Sequence, residues 1–196
     1  EKEIEDEINK MIEEVATNEY DGIFIDEPTR SNCFCQYCKE KFRREFGGSL
    51  LSATPNELEE FRSKSVIDFL DEVCSYTKSL DPKLETATCV MPRDADLWER
   101  TVKITALDNF GTDPYWLLWS KPVSYVAELT DTIVKLCRRN RKKSLMWILC
   151  WKIPSGKEEE IYEATISCAE KRPDAIYAWS YKAGLGTYEE SDNPDK

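Results

Sequence analysis

The spacing of apolar residues along the chain switches repeatedly between two patterns. Apolar positions three or four residues apart predict amphipathic helices, and short continuous apolar runs predict buried strands. The helical pattern covers residues 1–17, 39–46, 55–80, 95–100, 123–138 and 157–171. The apolar runs that predict strands cover residues 22–25, 84–91, 104–107, 145–151 and 175–181. Helices and strands therefore alternate along most of the chain.

This alternation predicts an α/β fold. Strands that are joined through helices pair in parallel with right-handed crossovers, which leaves a doubly wound open sheet or part of a (β/α)8 barrel. No glycine-rich phosphate loop follows any of the predicted strands, which weakens the nucleotide-binding alternative. Polar and aromatic residues instead follow several strands, as the active sites of barrels require. We therefore expect a parallel (β/α) barrel of the TIM type.

The composition limits the choice of partners. The 196 residues carry a net charge of −11 with 41% hydrophobic residues, so we expect one folded domain over residues 1–196 and no nucleic-acid partner. No apolar run approaches the length of a membrane span, so no membrane partner is expected. The chain has no histidine, and five of its eight cysteines lie singly in apolar periodic segments. This use of cysteine indicates a reducing, cytoplasmic compartment.

Acidic residues follow two of the predicted strands. Asp26 and Glu27 end the first apolar run, and Asp108 and Asp113 follow the third. Cleavage of a glycosidic bond needs two carboxyl groups across the bond, so these four residues are candidate catalytic groups. Structural interpretations stay open for two of these residues. Asp26 could cap the following turn or pair with an arginine of a neighbouring loop, and Asp113 could be an Asx cap before Pro114.

Aromatic residues accompany these acids. Their ring faces can stack on the C–H surfaces of sugars, so the residues nearest the strand ends are candidate contacts for a saccharide substrate. The candidates are Tyr115, Trp116, Trp151, Lys152, Trp179 and Tyr181. Trp147 lies inside a strand, where tryptophan usually packs in the core.

Three cysteines form a cluster at Cys33, Cys35 and Cys38, within residues 31–48, a predicted loop and helix inserted after the first strand. Thiolates at this spacing can wrap one tetrahedral zinc ion, and we expect a structural zinc and no organic cofactor. Iron–sulfur ligation, a disulfide or free thiols are the alternatives. Because the chain has no histidine and the other cysteines are in apolar segments, the fourth ligand is expected outside this loop.

Several motifs resemble one group of barrel glycoside hydrolases and their uncharacterised relatives. YDGIFIDEP at residues 20–28 and CFCQYCKEKFRREFG at 33–47 resemble a strand ending in an acidic pair, followed by the cysteine loop of zinc-containing β-galactosidases. GTDPYW at 111–116, the stretch 147–161 and AWSY at 178–181 look like later strands of the same group.

The resemblance implies that the chain corresponds to barrel strands four to eight, with strands one to three missing. In the β-galactosidases a glutamate nucleophile ends strand seven, whereas here that position reads Cys150-Trp151-Lys152. The pattern looks closer to α-glycosidase barrels. That likeness implies Asp26 as nucleophile and Asp113 as acid/base, with Asp108 as the substitute for Asp113. In the β-galactosidases the remaining zinc thiolate comes from an upstream segment.

Three functions are consistent with the sequence. The first is a glycoside hydrolase acting on a saccharide, the second a non-catalytic carbohydrate-binding relative, and the third an unrelated α/β protein with a structural or redox cysteine metal site. Five strands of a barrel leave two open edges. We therefore expect a missing N-terminal barrel half, or a partner chain, to cover them.

Overall fold

A computed structural model describes residues 2–180 and 191–193. Five strands alternate with helices along the described chain. The strands are β1 (Gly22–Asp26), β2 (Glu85–Cys89), β3 (Asn109–Thr112), β4 (Lys143–Leu149) and β5 (Ala175–Trp179). The helices are α1 (Lys2–Thr17), α2 (Gln36–Phe46), α3 (Pro55–Leu80), α4 (Trp98–Thr101), α5 (Ser124–Asn140) and α6 (Glu159–Glu170), with 3-10 turns at Leu50–Ser52 and Pro92–Leu97.

The strands form one parallel sheet in the order β1-β2-β3-β4-β5, so each strand pairs with the next along the chain. This order excludes a doubly wound sheet, in which the strand order reverses at a switch point. It is the order of consecutive strands in a barrel, and the α/β fold predicted from the sequence is confirmed.

The sheet is curled, as contacts across its concave face demonstrate. In a flat sheet β1 and β4 would be about 14 Å apart, because neighbouring strands are spaced by about 4.8 Å. The ring centroids of Phe24 on β1 and Trp147 on β4 are 5.4 Å apart, and Trp147 stacks on Tyr177 of β5 at 4.8 Å. The three rings lie in a cavity of about 500 Å³ on the concave face. The described chain is therefore a half-barrel.

The main core lies on the convex face, between the sheet and the helices. Phe110, Met146 and Ile148 point from the strands into this core and are at most 2% exposed. Leu70 of α3 and Ile133 of α5 are fully buried against them. The central strands β2 to β4 are also largely buried on the concave side, and burial on both faces explains why strands read as nearly continuous apolar runs.

Helix α3 begins where the sequence predicts. The Thr54 hydroxyl accepts a hydrogen bond from the Glu57 amide at 3.3 Å, and the Glu57 carboxylate accepts one from the Thr54 amide at 2.8 Å. This capping box satisfies two backbone donors at the helix start. A second small core of Phe42, Phe46 and Phe61, with ring centroids 4.8 to 6.0 Å apart, packs α2 onto α3. The cysteine-rich segment is thereby fixed to the half-barrel.

The third strand is not where the sequence predicts. Residues 104–107 form a turn in which Ile104 and Leu107 are buried, and β3 runs from Asn109 to Thr112 instead. Gly111 explains why this segment forms the strand, because a Cβ there would lie 2.2 Å from the Leu145 carbonyl oxygen. Only glycine permits β3 to approach β4 so closely. The strand predicted over 104–107 was wrong.

Smaller differences concern the ends of elements. Helix α2 begins at Gln36 rather than Lys39, so Cys38 lies within its first turn. Strand β4 ends at Leu149, two residues before the predicted end at Trp151. The predicted fifth strand reaches Tyr181, which lies outside the described residues. Within residues 2–180, none of the helices combines the length and apolar character that a membrane span requires.

Candidate active site and metal site

Two acidic residues stand at the carboxyl end of β1. Asp26 is the last residue of the strand, and its side chain lies on the concave face because it shares that face with Phe24 two residues earlier. Glu27 follows with φ at +40°, in the left-handed region that non-glycine residues rarely adopt. This turn lets the Glu27 side chain reach β3, a contact that strand periodicity does not predict.

Asp113 directly follows β3 and is 1% exposed. Asp26, Cys89 and Gly111 are neighbours across β1, β2 and β3, and Asp113 lies two residues beyond Gly111 on the same face. The Cys89 Sγ is 3.7 Å from the Asp113 Oδ1, while the Oδ2 is buried without a hydrogen-bond donor among the described residues. The carboxyl end of the half-barrel therefore gathers three acids and a thiol.

Asp113 has an unusual affinity for its proton. Burial, followed by the proximity and charge of the Glu27 carboxylate, raises the pKa of Asp113 to about 8. Asp113 thus keeps its proton at neutral pH, the state that a general acid needs.

Burial and nearby carboxylates also raise the pKa values of three groups around Asp113. Partial desolvation and the charge of Glu27 raise the pKa of Asp26. Burial and then the charge of Asp113 raise the pKa of Tyr115 and of Cys89. A thiol with a raised pKa stays protonated, so Cys89 is a weak hydrogen-bond donor to Asp113 and a poor nucleophile.

The structure does not bring Asp108 to this group. Asp108 precedes β3 and lies at the opposite end of the sheet, 2.5 Å from the Lys78 Nζ and 2.9 Å from the Thr86 amide. Partial burial opposes its charge, but the Lys78 ammonium and the Thr86 donors more than offset this, so the pKa of Asp108 is lowered. Asp108 is an ion-pair partner that joins α3 to the sheet.

The candidate substrate contacts divide into two sets. Trp116 is fully buried and its Nε1 donates to Glu160 at 2.8 Å, which holds the loop after β3 against α6. Tyr115 is 7% exposed, next to Asp113. Trp179 at the end of β5 is 46% exposed, and the Lys152 Nζ lies 4.4 Å from the ring centroid of half-buried Trp151. Trp179 and Trp151 are the rings available to a ligand, and Tyr181 lies outside the described residues.

Arg30 holds the loop that follows Glu27, a role that the sequence alone does not reveal. Its guanidinium contacts the carboxylates of Asp94 at 2.7 Å and Glu59 at 2.9 Å, and it also pairs with Asp96. The Nε donates to the Ser63 hydroxyl at 2.9 Å. The Arg30 side chain is only 14% exposed, so these contacts fix the loop to α3 and to the turn before α4.

The cysteine cluster lies beyond Arg30. The sulfur atoms of Cys33, Cys35 and Cys38 lie within 4.8 Å of one another, and none of the eight cysteines, all of them in the described residues, forms a disulfide. Zinc takes thiolates at about 2.3 Å, so a small contraction brings all three to one ion. The donor set therefore fits zinc.

Cys35 and Cys38 differ in acidity because they occupy different positions at the start of α2. Cys35 is the N-cap residue of α2, and the Cys38 amide followed by the Cys33 and Cys38 thiols lowers its pKa. Burial, followed by its sulfur neighbours, raises the pKa of Cys38 to about 12. Cys35 is thus more easily ionised than Cys38, as expected at a helix N-terminus.

Comparison with known proteins supports the fold. The chain is similar to the endo-1,4-beta-D-mannanase of Thermotoga petrophila RKU-1, with a TM-score of 0.53 and 13% identity over 95% of this chain and 76% of that one. A protein assigned as an alpha-L-fucosidase from Bacteroides thetaiotaomicron VPI-5482 gives a TM-score of 0.56 and 8% identity over 87% and 51% of the two chains. Bee venom hyaluronidase gives 0.53 and 15% over 89% and 67%.

These likenesses define the class of structure, an α/β half-barrel of the TIM type that spans about half to three quarters of the compared chains. At identities of 8 to 15% they bear on the fold alone. No protein-family model matches the sequence, and no curated protein sequence is significantly similar to it.

Proposed function

We propose that this half-barrel belongs to a glycoside hydrolase that works through carboxyl groups at the carboxyl ends of β1 and β3. The observation that carries the proposal is Asp113, a 1% exposed carboxyl group whose pKa is raised to about 8 beside Glu27. An acid that keeps its proton at neutral pH can protonate the oxygen of a leaving sugar. Active sites of barrels form at this end of the strands.

Each acid then has a role that follows from its surroundings. Asp113 is the general acid, and Glu27 holds it in the protonated state. Asp26 is on the same concave face and more accessible, so it acts as the nucleophile, or as the base that activates water. Trp179 at the end of β5 and Trp151, two residues after the end of β4, offer ring faces to the sugar.

The known activities of similar structures agree with this chemistry. One of them is an endo-mannanase bound to maltose and glycerol, and another is a hyaluronidase bound to a hyaluronic acid tetramer. These names describe those proteins, and they make a saccharide the first substrate class to test here.

One observation favours a second candidate, a carbohydrate-binding relative without activity. Asp113 is almost fully enclosed, with Glu27 and Tyr115 close to it, so little of its carboxyl group is open to a substrate oxygen. If no substrate oxygen reaches Asp113, the aromatic residues bind a saccharide and no bond is cleaved. Binding without hydrolysis distinguishes the two candidates.

The test is a panel of aryl glycosides with the protein and three variants. Asp26→Asn and Asp113→Asn should each reduce kcat/KM by about 10³ or more, because each removes a group that acts in the transition state. Asp131→Asn is the control, since Asp131 is a partly exposed residue of α5 that pairs with Lys135 and lies on a helix outside the group of acids. Hydrolysis that survives both active-site changes would exclude these carboxyl groups. Saccharide binding without turnover in the parent protein would favour the second candidate.

A second part of the proposal concerns the thiol cluster. Zinc held by Cys33, Cys35 and Cys38 would join the loop after β1 to the start of α2. This position is close to the loop that carries Glu27 but outside the group of acids, so the ion supplies structure rather than chemistry. Metal loading should raise the melting temperature without changing the preferred sugar.

The third part concerns the sheet edges. Within the described residues, β1 and β5 each pair with a single strand, and the concave face between them exposes Phe24 and Tyr177. Unpaired edges beside exposed rings favour further pairing. We propose that additional barrel strands, or a partner chain, cover them. Sedimentation of the 196-residue chain should then show association, and a stable monomer would oppose this part.

A further inference from the structure

Cys35 and Cys38 span the first turn of α2. Cys35 is the N-cap residue, and its carbonyl oxygen accepts a hydrogen bond from the Lys39 amide at 3.1 Å, which closes the turn around Cys38. Residues three apart in a helical turn are neighbours on its surface, and a disulfide joins Cα atoms about 4.4 to 6.8 Å apart. This turn therefore suits a disulfide with little movement of the backbone.

The sulfur atoms of this segment are already close together. Those of Cys33, Cys35 and Cys38 lie within 4.8 Å of one another, although all three are free thiols. Cys33 precedes the helix and lies outside the hydrogen-bonded turn that aligns the other two residues. The geometry thus favours Cys35 and Cys38 as the pair that forms a bond.

Exposure to solvent distinguishes Cys35 from the other thiols. Cys35 is exposed, whereas Cys33 and Cys38 are half-buried. Of the other five cysteines, Cys150 is half-buried and the rest are buried. A disulfide in solution therefore reaches Cys35 first, and Cys38 is the neighbouring thiol that completes an exchange. An accessible thiol beside a second, resolving thiol is the arrangement of redox-sensitive cysteines.

A cavity of about 430 Å³ gives a disulfide room beside these thiols, because all three cysteines belong to its wall. The rest of the wall mixes apolar side chains with polar and charged ones, among them Phe69, Val73, Asn9, Lys41 and Glu72. A peptide-like disulfide carries amide and charged groups beside its sulfur atoms, so a mixed wall of this kind accommodates it. The glycosidase proposal does not use this cavity.

We propose that Cys35 and Cys38 form a thiol–disulfide exchange site for small peptide-like disulfides such as glutathione disulfide. The Cys35 sulfur attacks one sulfur of the substrate, forms a mixed disulfide and releases the first thiol. The Cys38 sulfur then attacks Cys35, which forms the Cys35–Cys38 disulfide and releases the second thiol. The protons of Cys35 and Cys38 pass to the two departing thiols, so two protein thiols are oxidised and one disulfide is reduced.

Exchange and metal binding use the same sulfur atoms, so each excludes the other. The inference does not depend on zinc, because exchange needs the two thiols of one helical turn, whereas the proposed metal site needs all three. Excess reduced thiol reverses the reaction and frees the cluster for an ion again. The redox state of the small thiols around the protein therefore determines whether the cluster can hold zinc.

The experiment equilibrates the 196-residue chain, in the presence of a chelator, with mixtures of reduced and oxidised glutathione. The reaction is quenched with acid, the remaining thiols are alkylated, and mass spectrometry counts and locates them. The parent protein should lose two thiols per chain, retain no glutathione and give a peptide pair joined through Cys35 and Cys38. Excess reduced glutathione should restore both thiols.

Variants test the role of each thiol. Cys38→Ser should stop the reaction halfway, with one glutathione held on Cys35, because the resolving thiol is gone. Cys35→Ser should slow oxidation of the cluster about tenfold or more, because the exposed thiol is gone, and an unchanged rate would overturn its role. Cys150→Ser is the matched control and should react as the parent does, since Cys150 is another half-buried cysteine but directly follows β4.

Cys33→Ser separates this inference from the zinc proposal. It removes one proposed zinc ligand but neither thiol of the turn, so it should weaken zinc binding at least about tenfold and keep the rate of glutathione oxidation within about twofold. A disulfide that includes Cys33 would overturn the assignment to Cys35 and Cys38. A parent protein that keeps all its thiols in every glutathione mixture would overturn the exchange site, whereas a failure of the parent to bind zinc would overturn the zinc proposal alone.

Discussion

Replacing Asp113 by asparagine should stabilise the protein at alkaline pH while it abolishes hydrolysis. In the folded chain, burial and Glu27 raise the pKa of Asp113 from 3.8 to about 8. Between these two values the unfolded chain has released this proton and the folded chain has kept it. Stability therefore falls as the pH rises through this range, since the folded state binds more protons. Asparagine cannot ionise, so the stability of the variant does not fall with pH in this way.

The size of the effect follows from the same pKa values. Charging a carboxyl group whose pKa rises from 3.8 to about 8 costs at most on the order of 5 kcal/mol. We expect Asp113→Asn to exceed the parent protein by about 2–4 kcal/mol in free energy of unfolding near pH 9, and to equal it within about 1 kcal/mol near pH 4. The amide of asparagine can still donate a hydrogen bond to Glu27.

Urea unfolding across this pH range measures the difference, and Asp108→Asn is the matched control. Asp108 lies at the other end of β3 with a lowered pKa, so its charge stabilises the fold above that pKa and the benefit disappears as the pH falls. Because Asp108 is about one third exposed, Asp108→Asn should lose no more than about 1 kcal/mol at neutral pH. A loss of stability by Asp113→Asn near pH 9 would refute the reasoning.

Three further predictions concern the framework of the site. Gly111→Ala should cost more than about 3 kcal/mol or prevent folding, because its Cβ would lie 2.2 Å from the Leu145 carbonyl oxygen, while Gly48→Ala, with nothing within 4 Å, should be nearly neutral in the same urea titration. Arg30→Met should cost about 1–3 kcal/mol, since it removes the buried guanidinium from Asp94 and leaves that carboxylate to the more exposed Arg93 at 3.2 Å; a change below about 0.5 kcal/mol would contradict this. Zinc should raise the melting temperature in a chelator-reversible way that Cys38→Ser abolishes, and an unchanged melting curve would count against the metal site.

The sequence predicts most of the architecture because the convex core dictates it. Residues 145–149, for example, are buried or half-buried on both faces of the curled sheet. The helices between the strands carry an apolar face. The capping box at Thr54 and Glu57 places the start of α3 to the residue. A capping box involves only residues that are neighbours in sequence, so the start of the helix can be predicted without knowledge of the tertiary structure.

The site depends on features that local patterns do not contain. The apolar pair Ile104 and Leu107 resembles a strand, yet it fills a turn, while Asn109–Thr112 forms the strand because Gly111 permits close packing on β4. This shift of a few residues places Asp108 and Asp113 at opposite ends of β3. The approach of Glu27 to Asp113 needs a positive φ at Glu27 and the placing of β3 one strand away from β1, across β2. Neither feature is visible in the spacing of residues along the sequence.

The central claim is that the carboxyl end of the half-barrel keeps a proton on a buried acid at neutral pH. The most direct measurement is a titration of the side-chain carboxyl carbons in protein labelled with ¹³C-aspartate, in which the Asp113 signal is assigned by its absence from Asp113→Asn. A midpoint near 8 is expected for this signal. A single midpoint near 4, the value of an ordinary aspartate, would contradict it.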